Sequence, residues 1–421
     1  MRCLNWGFVP VLLLLVSACS QQDGQETLSL PMTMNTPLPV SDRAYHALDD
    51  EFLSAFVAHI SLSAYTHVSL ATQAAQELDS RVAALMHTPN DNTLNDAQVA
   101  WREAYDAYLH SLLFSYLPLI DPADWHHQQI DLRSTLTFLD SWPIEGGYID
   151  HIPGYPFSGI VNDLTLPIQE DTILTQHRFA DDSYASVGYH AIEFMLWGAD
   201  GDRDPRDFFA QENTAPVIVP LVTGDIGINS VSDQEEDEQA DSALTHTFGI
   251  QNHARRRQYV QLLTEQLQKH LLRLQRRWQP SNGYYADMIQ SSEPTKVVQV
   301  SLWAANQLLA QELLHRRLPA DSSAFSQTSL NDLRALLNGL QQILLPDNTS
   351  LGLSMLLQDH PDLLDQWQQQ LHSSYALLDQ WQRAELTPNA AREALKERLI
   401  GLMSLLQRSA DYLQLQLQLN E

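Results

Sequence analysis

Apolar residues recur at three- and four-residue spacing over most of this chain. Phe52, Phe56 and Ile60 open one such stripe, which continues towards Leu85, and Ser41 or Asp42 stands where it could cap the first turn. A second stripe runs from about Asp96 to Tyr116. Pro118 stops it, because proline lacks an amide hydrogen and clashes with the preceding turn. A third covers about Gln128 to Leu139, and others run from about Ser183 to Trp197, Arg255 to Trp278 and Pro294 to His315. Ser329 with Asp332 has the form of a capping box before Leu333 to Leu345. Pro361 opens a helix through Trp367, Leu371 and Trp381. Thr387-Pro388 pairs a cap with proline at the first helical position, ahead of the stripe Leu395, Leu399, Leu402, Leu406. Leu413 to Leu419 alternates like a strand but reads as a fraying helix end. The pattern predicts an all-α fold of two helical bundles packed together, residues 41–250 and 251–421.

The breaks in the pattern are as informative. Ser141 to Glu170 is rich in Gly, Pro and aromatics and is long for a plain connection, which marks it as a functional loop. Gly198 to Gly249 holds the acidic run Gln234-Glu235-Glu236-Asp237-Glu238, the mark of a solvated insertion. Residues 19–40 are polar, carry three prolines and have no period, as expected of a flexible tether.

Before that tether, Arg2 precedes the apolar run Phe8 to Val16, which is too short to span a bilayer comfortably. Val16-Ser17-Ala18-Cys19 then resembles a bacterial lipobox. Residues 1–18 read as a signal peptide, with Cys19 lipidated and the mature protein anchored in the cell envelope. Ser20 after the cysteine points to the outer membrane, facing the periplasm. The other cysteine, Cys3, lies in the removed segment, so cysteine catalysis, disulfides and cysteine-ligated metals are excluded from the mature chain.

Charge narrows the partners. With 52 acidic against 24 basic residues the formal charge is −28, which repels phosphate backbones and excludes nucleic acid as a natural partner. The membrane is then approached through the lipid alone.

Chemistry concentrates in Gly188-Tyr189-His190-Ala191-Ile192-Glu193-Phe194-Met195-Leu196-Trp197-Gly198. On a helix, His190 and Glu193 project from one face with Ser186 and Trp197, while Tyr189, Ile192 and Leu196 form an apolar stripe. A helix apolar on most sides is buried, so His190 and Glu193 must find each other, hydrogen bonds or a cation. Gly188 inside this helix implies a closely packed backbone. Spacing alone also fits a structural salt-bridged pair. His190 and Glu193 supply two metal ligands where a catalytic zinc wants three, and no H-E-x-x-H pattern is present. His126, His127 and Asp131 read as surface decoration, and His46 near Asp49, Asp50 and Glu51 as an acidic helix start.

The block resembles the imelysin-like family, whose shared pattern is G-x-H-x-x-E. Asp140-Ser141-Trp142-Pro143-Ile144 with Tyr148-Ile149-Asp150, Pro156 to Asn162, Arg256-Arg257 with Tyr259, and Leu351-Gly352-Leu353 are similar to further segments of that family in the same order. The resemblance covers roughly residues 45–415. It implies two helical bundles with the motif near their interface, carried here by Gly188, His190 and Glu193, with Trp142, Pro143 and Trp197 lining a cleft. It also implies a link to iron uptake: a lipoprotein that binds iron, a haem-like ligand or a component of an uptake system, possessing a divalent metal or iron species as its cofactor if any. Two other readings stand beside it. One is a metallopeptidase with His190 and Glu193 as ligands or Glu193 as general base, its third ligand supplied by a residue such as Asp150; the other is a non-catalytic scaffold. Counting from Trp101, the chain has Tyr105 and Leu112 where relatives carry Arg and Glu, which removes a carboxylate from the expected ligand set.

Overall fold

The computed structural model describes residues 50–119, 125–210, 252–346 and 351–417. Cys19, the leader, the tether and the acidic run lie outside the described residues, as do the side chains of His126, His127 and Asp131. Residues from Leu48 onward form one compact unit, and among the described residues it is all-α, with an isolated bridge between Ile152 and Tyr155 in place of any strand.

Thirteen helices are described. They are α1 (Asp50–His87), α2 (Asp91–Ser111), α3 (Trp125–Leu139), α4 (Gly146–Ile149), α5 (Glu170–Gln176), α6 (Tyr189–Trp197), α7 (His253–Trp278), α8 (Tyr284–Ser291), α9 (Pro294–Gln307), α10 (Ser329–Leu344), α11 (Leu353–Leu356), α12 (Pro361–Gln382) and α13 (Pro388–Tyr412). A π-helical segment, Leu308–Arg317, continues α9. The long helices follow their apolar stripes. In α1 the buried face runs Phe56, Ile60, Ala64, Val68, Ala71, Ala75, Leu78, Val82, and it packs on α2 and α7. α7, grouped by sequence with the second half, thus lies along the first helix. α2 also meets α6 and α10, and α13 packs on α12 and on the π-helical segment.

Several boundaries move for local reasons. α2 starts at Asp91, five residues earlier than its apolar stripe suggests. Asn90 caps it, accepting from the amides of Asn92 and Thr93 while Thr93 Oγ1 accepts from the Asn90 amide. Its end, expected at Tyr116, comes at Ser111, followed by tight 3₁₀ turns to Leu119. The capping box at Ser329 is not formed. Thr328 precedes the helix without a side-chain cap, Ser329 Oγ accepts from the Ser323 amide, and Asp332 turns inward to Ser322 and Ser323. Thr387 does cap α13. Leu413 to Leu417 is not helical: the helix ends at Tyr412, and Leu413 and Leu417 seal the core from a turn.

The largest change concerns the motif. The helix expected from Ser183 begins at Tyr189, and Gly188 precedes it with φ +102°, a backbone conformation that side chains rarely adopt. A Cβ there would stand 2.7 Å from the Leu139 carbonyl oxygen. Gly188 is therefore required by its conformation and by the closeness of the end of α3, not tolerated mid-helix.

Candidate functional site

All nine residues of α6 are buried, which a helix this apolar demands. His190 and Glu193 are 2% and 0% exposed. Their contacts account for them fully. His190 Nδ1 lies 2.8 Å from Glu193 Oε2, and Nε2 lies 2.9 Å from Tyr105 Oη and 3.3 Å from Asp140 Oδ1. Glu193 Oε1 accepts from the Ser326 amide at 2.8 Å and from Ser326 Oγ at 2.7 Å.

The network extends through Asp140, at the end of α3. Arg317 Nη2 donates to Asp140 Oδ2 at 2.5 Å and Arg317 Nη1 to Tyr105 Oη at 2.7 Å; Tyr105 Oη in turn donates to Asp140 Oδ1 at 3.1 Å. Arg316 reaches the Asp140 carbonyl at 2.8 Å and Glu312 at 3.1 Å. The π-helical segment thus delivers two adjacent guanidiniums to one carboxylate.

The charges follow from this geometry. Burial alone would lower the His190 pKa, but the hydrogen bonds to Asp140 and Glu193 outweigh it and raise the value to about 9. Burial pushes the Asp140 carboxyl up, yet Arg317 and Arg316 hold it far below the usual range. Burial raises Tyr105 well above the ordinary phenol value, so it stays a neutral relay. His190 at neutral pH is an imidazolium that donates from both nitrogens.

That arrangement does not fit His190 and Glu193 as metal ligands. A ligating imidazole needs an unprotonated nitrogen, and both are committed; Glu193 accepts on both oxygens. Among the described residues, no three His, Cys, Asp or Glu side chains form a ready metal-binding group. Asp150 is committed elsewhere. Arg256, fully buried, binds it from Nε at 2.6 Å and Nη2 at 3.0 Å, and Arg203 lies 3.4 Å away. Arg256 and Arg203 hold the Asp150 carboxyl well down against the opposing effect of burial. Leu112 packs in the core.

The other expected residues are placed as follows. Trp142, joined to Pro143 by a cis peptide, is half-buried with its ring 6.4 Å from that of His190, edge-on. The Arg316 and Arg317 guanidiniums lie 5.0 and 5.6 Å from its ring centre, and its Nε1–H is enclosed without a hydrogen-bond partner. Pro143 is exposed. Trp197 is one ring further off: it meets Trp101 edge-on at 5.3 Å, and Trp101 meets His190 at 6.3 Å. Ser186 is not on the helix at all; it donates to the Ile173 carbonyl.

The start of α7 ties down the irregular loop and the segments around it. Arg255 donates to the carbonyls of Ile160, Val161, Asp163 and Leu166, Arg257 to those of Met86 and Phe208, and Tyr259 to that of Ser186. Each arginine satisfies backbone oxygens that a helix or sheet would otherwise satisfy.

A peptidase family model described as imelysin matches residues 62–411. No curated protein matches the chain. Among solved structures, a protein from Parabacteroides distasonis described as an iron-regulated protein A precursor is similar, at 15% identity and a TM-score of 0.57, over 88% of this chain and 97% of that one. An imelysin-like protein from Psychrobacter arcticum is similar at 13% identity and a TM-score of 0.54, over 89% of this chain and 99% of that one. At these identities the likeness is one of fold.

Proposed function

The chain belongs to the imelysin family, and from that premise we propose that it is a lipid-anchored binding protein of a bacterial envelope, held by Cys19 and working in iron acquisition rather than peptide hydrolysis. The ligand is an anionic iron complex or a carboxylate-bearing haem-like molecule. It docks where Trp142, Pro143 and Arg316 reach the surface, with His190 and Glu193 as the buried support beneath. The observation that carries this reading is the half-buried Trp142 ring with the Arg316 guanidinium 5.0 Å from its centre, on an arginine side chain that keeps 31% of its exposure. A partly exposed guanidinium over an indole face suits an anionic ligand with a flat apolar body. The link to iron comes from the iron-regulated relative and from the family resemblance.

The reading against peptidase chemistry rests on the protonation of His190. Glu193 is 0% exposed and its two oxygens already accept from His190 and Ser326, which leaves it poorly placed as a general base. The test titrates haemin and ferric citrate separately into the detergent-solubilised full-length chain at pH 7. Saturable binding of either, weakened about tenfold in Trp142→Phe and in Arg316→Gln, is expected, since a charge-assisted hydrogen bond contributes roughly 1.5–3 kcal/mol. Absence of binding to both would overturn the ligand class. Chelator-sensitive cleavage of unfolded casein, lost in His190→Ala, would establish the metallopeptidase reading instead.

A further inference from the structure

A second set of titratable groups lies away from this network, at the seam of α1, α2 and α10. A cavity of about 580 Å³ opens there, lined by His67, Gln73 and Glu77 of α1, Asp106 and His110 of α2 and Gln342 of α10. Gly339 lets α10 approach the α2 backbone at this level, where an added Cβ would lie 3.0 Å from the His110 carbonyl oxygen.

The two histidines face the cavity in a defined tautomer. His67 Nδ1 is 2.8 Å from the Ser63 carbonyl oxygen, which can only accept, so Nδ1 carries the proton and Nε2 the lone pair. His110 Nδ1 lies 3.6 Å from Asp106 Oδ2, and the carboxylate favours the proton on that nitrogen. His110 Nε2 is buried and has no hydrogen-bond partner. The His67 ring is thus oriented by a backbone carbonyl that accepts from Nδ1, while the Asp106 carboxylate, beyond hydrogen-bond length, biases the His110 tautomer by its charge. This is the arrangement that prepares an imidazole to ligate through Nε2. Phe114 packs against the His67 ring, with the ring centres 5.3 Å apart. Burial, with a smaller opposing effect of Asp106, lowers the His110 pKa and keeps the ring neutral.

We propose that His67 and His110 form a binding site for a divalent transition-metal ion of the imidazole-favouring class, such as Cu²⁺ or Zn²⁺. Asp106 serves as a positioning residue for His110. The two imidazoles leave the remaining positions to water or to ligands that the ion brings, because no third protein ligand is in place among the described residues. Such a site exchanges its ion readily, and hard cations that prefer oxygen ligands are not its substrates. It does not depend on the Trp142–Arg316 surface or on His190.

The experiment adds Cu²⁺ alone to the full-length chain in detergent, follows binding by equilibrium dialysis and records the electron paramagnetic resonance spectrum. One site per chain is expected, with hyperfine structure from two imidazole nitrogens and competition by Zn²⁺. His67→Gln and His110→Gln should each remove one nitrogen from the spectrum and weaken binding at least tenfold. Asp106→Asn should keep both nitrogens but weaken binding about 10- to 100-fold, whereas His190→Gln should leave the spectrum unchanged. A wild-type spectrum without two nitrogens, or one unaltered in the His67 and His110 variants, would overturn the proposal. The haemin and ferric citrate titration is scored separately, so failure at one site leaves the other standing.

Discussion

Replacing Asp140 by Asn keeps the shape of the side chain and removes one buried charge, and the network prices that charge. In the native protein its two oxygens meet Arg317 at 2.5 Å, the Tyr105 hydroxyl at 3.1 Å and His190 at 3.3 Å. The asparagine oxygen can still accept, but its amide then points N–H groups at donors. Arg317 retains only the more distant Glu312 and Asp332 carboxylates, at 3.5 and 3.9 Å. Breaking a buried ion pair by removing one partner costs about 3–5 kcal/mol. The two remaining carboxylates place this case near the lower figure. At about 2 °C per kcal/mol for a large domain, the melting temperature should fall by roughly 6 °C or more. Tyr105→Phe, which removes a neutral hydroxyl and its hydrogen bonds to Arg317, Asp140 and His190, should cost only about 1.5–3 kcal/mol. Thermal unfolding followed by circular dichroism at pH 7 measures both. If Asp140→Asn melts within about 2 °C of the parent, the charge is not what the network stabilises.

His190 makes stability depend on pH. Its folded value of about 9 exceeds its ordinary 6.5, so its contribution is complete below about pH 6.5 and is lost as pH rises through 9; the difference corresponds to about 3 kcal/mol. Urea unfolding of the parent should show that loss between pH 6.5 and 9.5, and His190→Gln should not. Gly188→Ala forces a side chain into φ +102° against the Leu139 carbonyl and should destabilise by at least about 2 kcal/mol, read as a drop in melting temperature. Arg256→Met leaves the Asp150 carboxylate buried without its main partner. It should cost about 3–5 kcal/mol and speed hydrogen exchange in residues 146–163 more than in α12 and α13.

The helices were legible because burial imposes a period, and α1, α7 and α13 carry it without interruption. The pairing of His190 with Glu193 was legible for the same reason: three residues on a helix is a contact distance. Asp140 belongs to a segment the sequence already singled out, but its partners come from residues 105 and 316–317, with no spacing to announce them. One signal existed: Arg317 sits between the buried Leu313, Leu314 and Leu318, and an arginine in an apolar stripe needs a carboxylate. Tyr105, read as a departure from relatives, turns out to contact His190 directly. Ser326 donates from a turn, where no periodicity points. The helix start at Tyr189 escaped the apolar pattern because Val187 and Ala185 are as apolar as the helix itself; glycine's positive φ ends it, and sequence alone does not show φ.

The central claim is that His190 is an imidazolium held between two carboxylates and is not a metal ligand. Selective ¹⁵N labelling of histidine, with ring-nitrogen spectra recorded at pH 7.5 before and after adding Zn²⁺, tests it most directly, using His190→Gln to assign the resonance. Both His190 nitrogens should report as protonated, unchanged by Zn²⁺, and should titrate only near pH 9. A single deprotonated nitrogen at pH 7.5 that shifts on adding Zn²⁺ would contradict the account and make His190 a ligand.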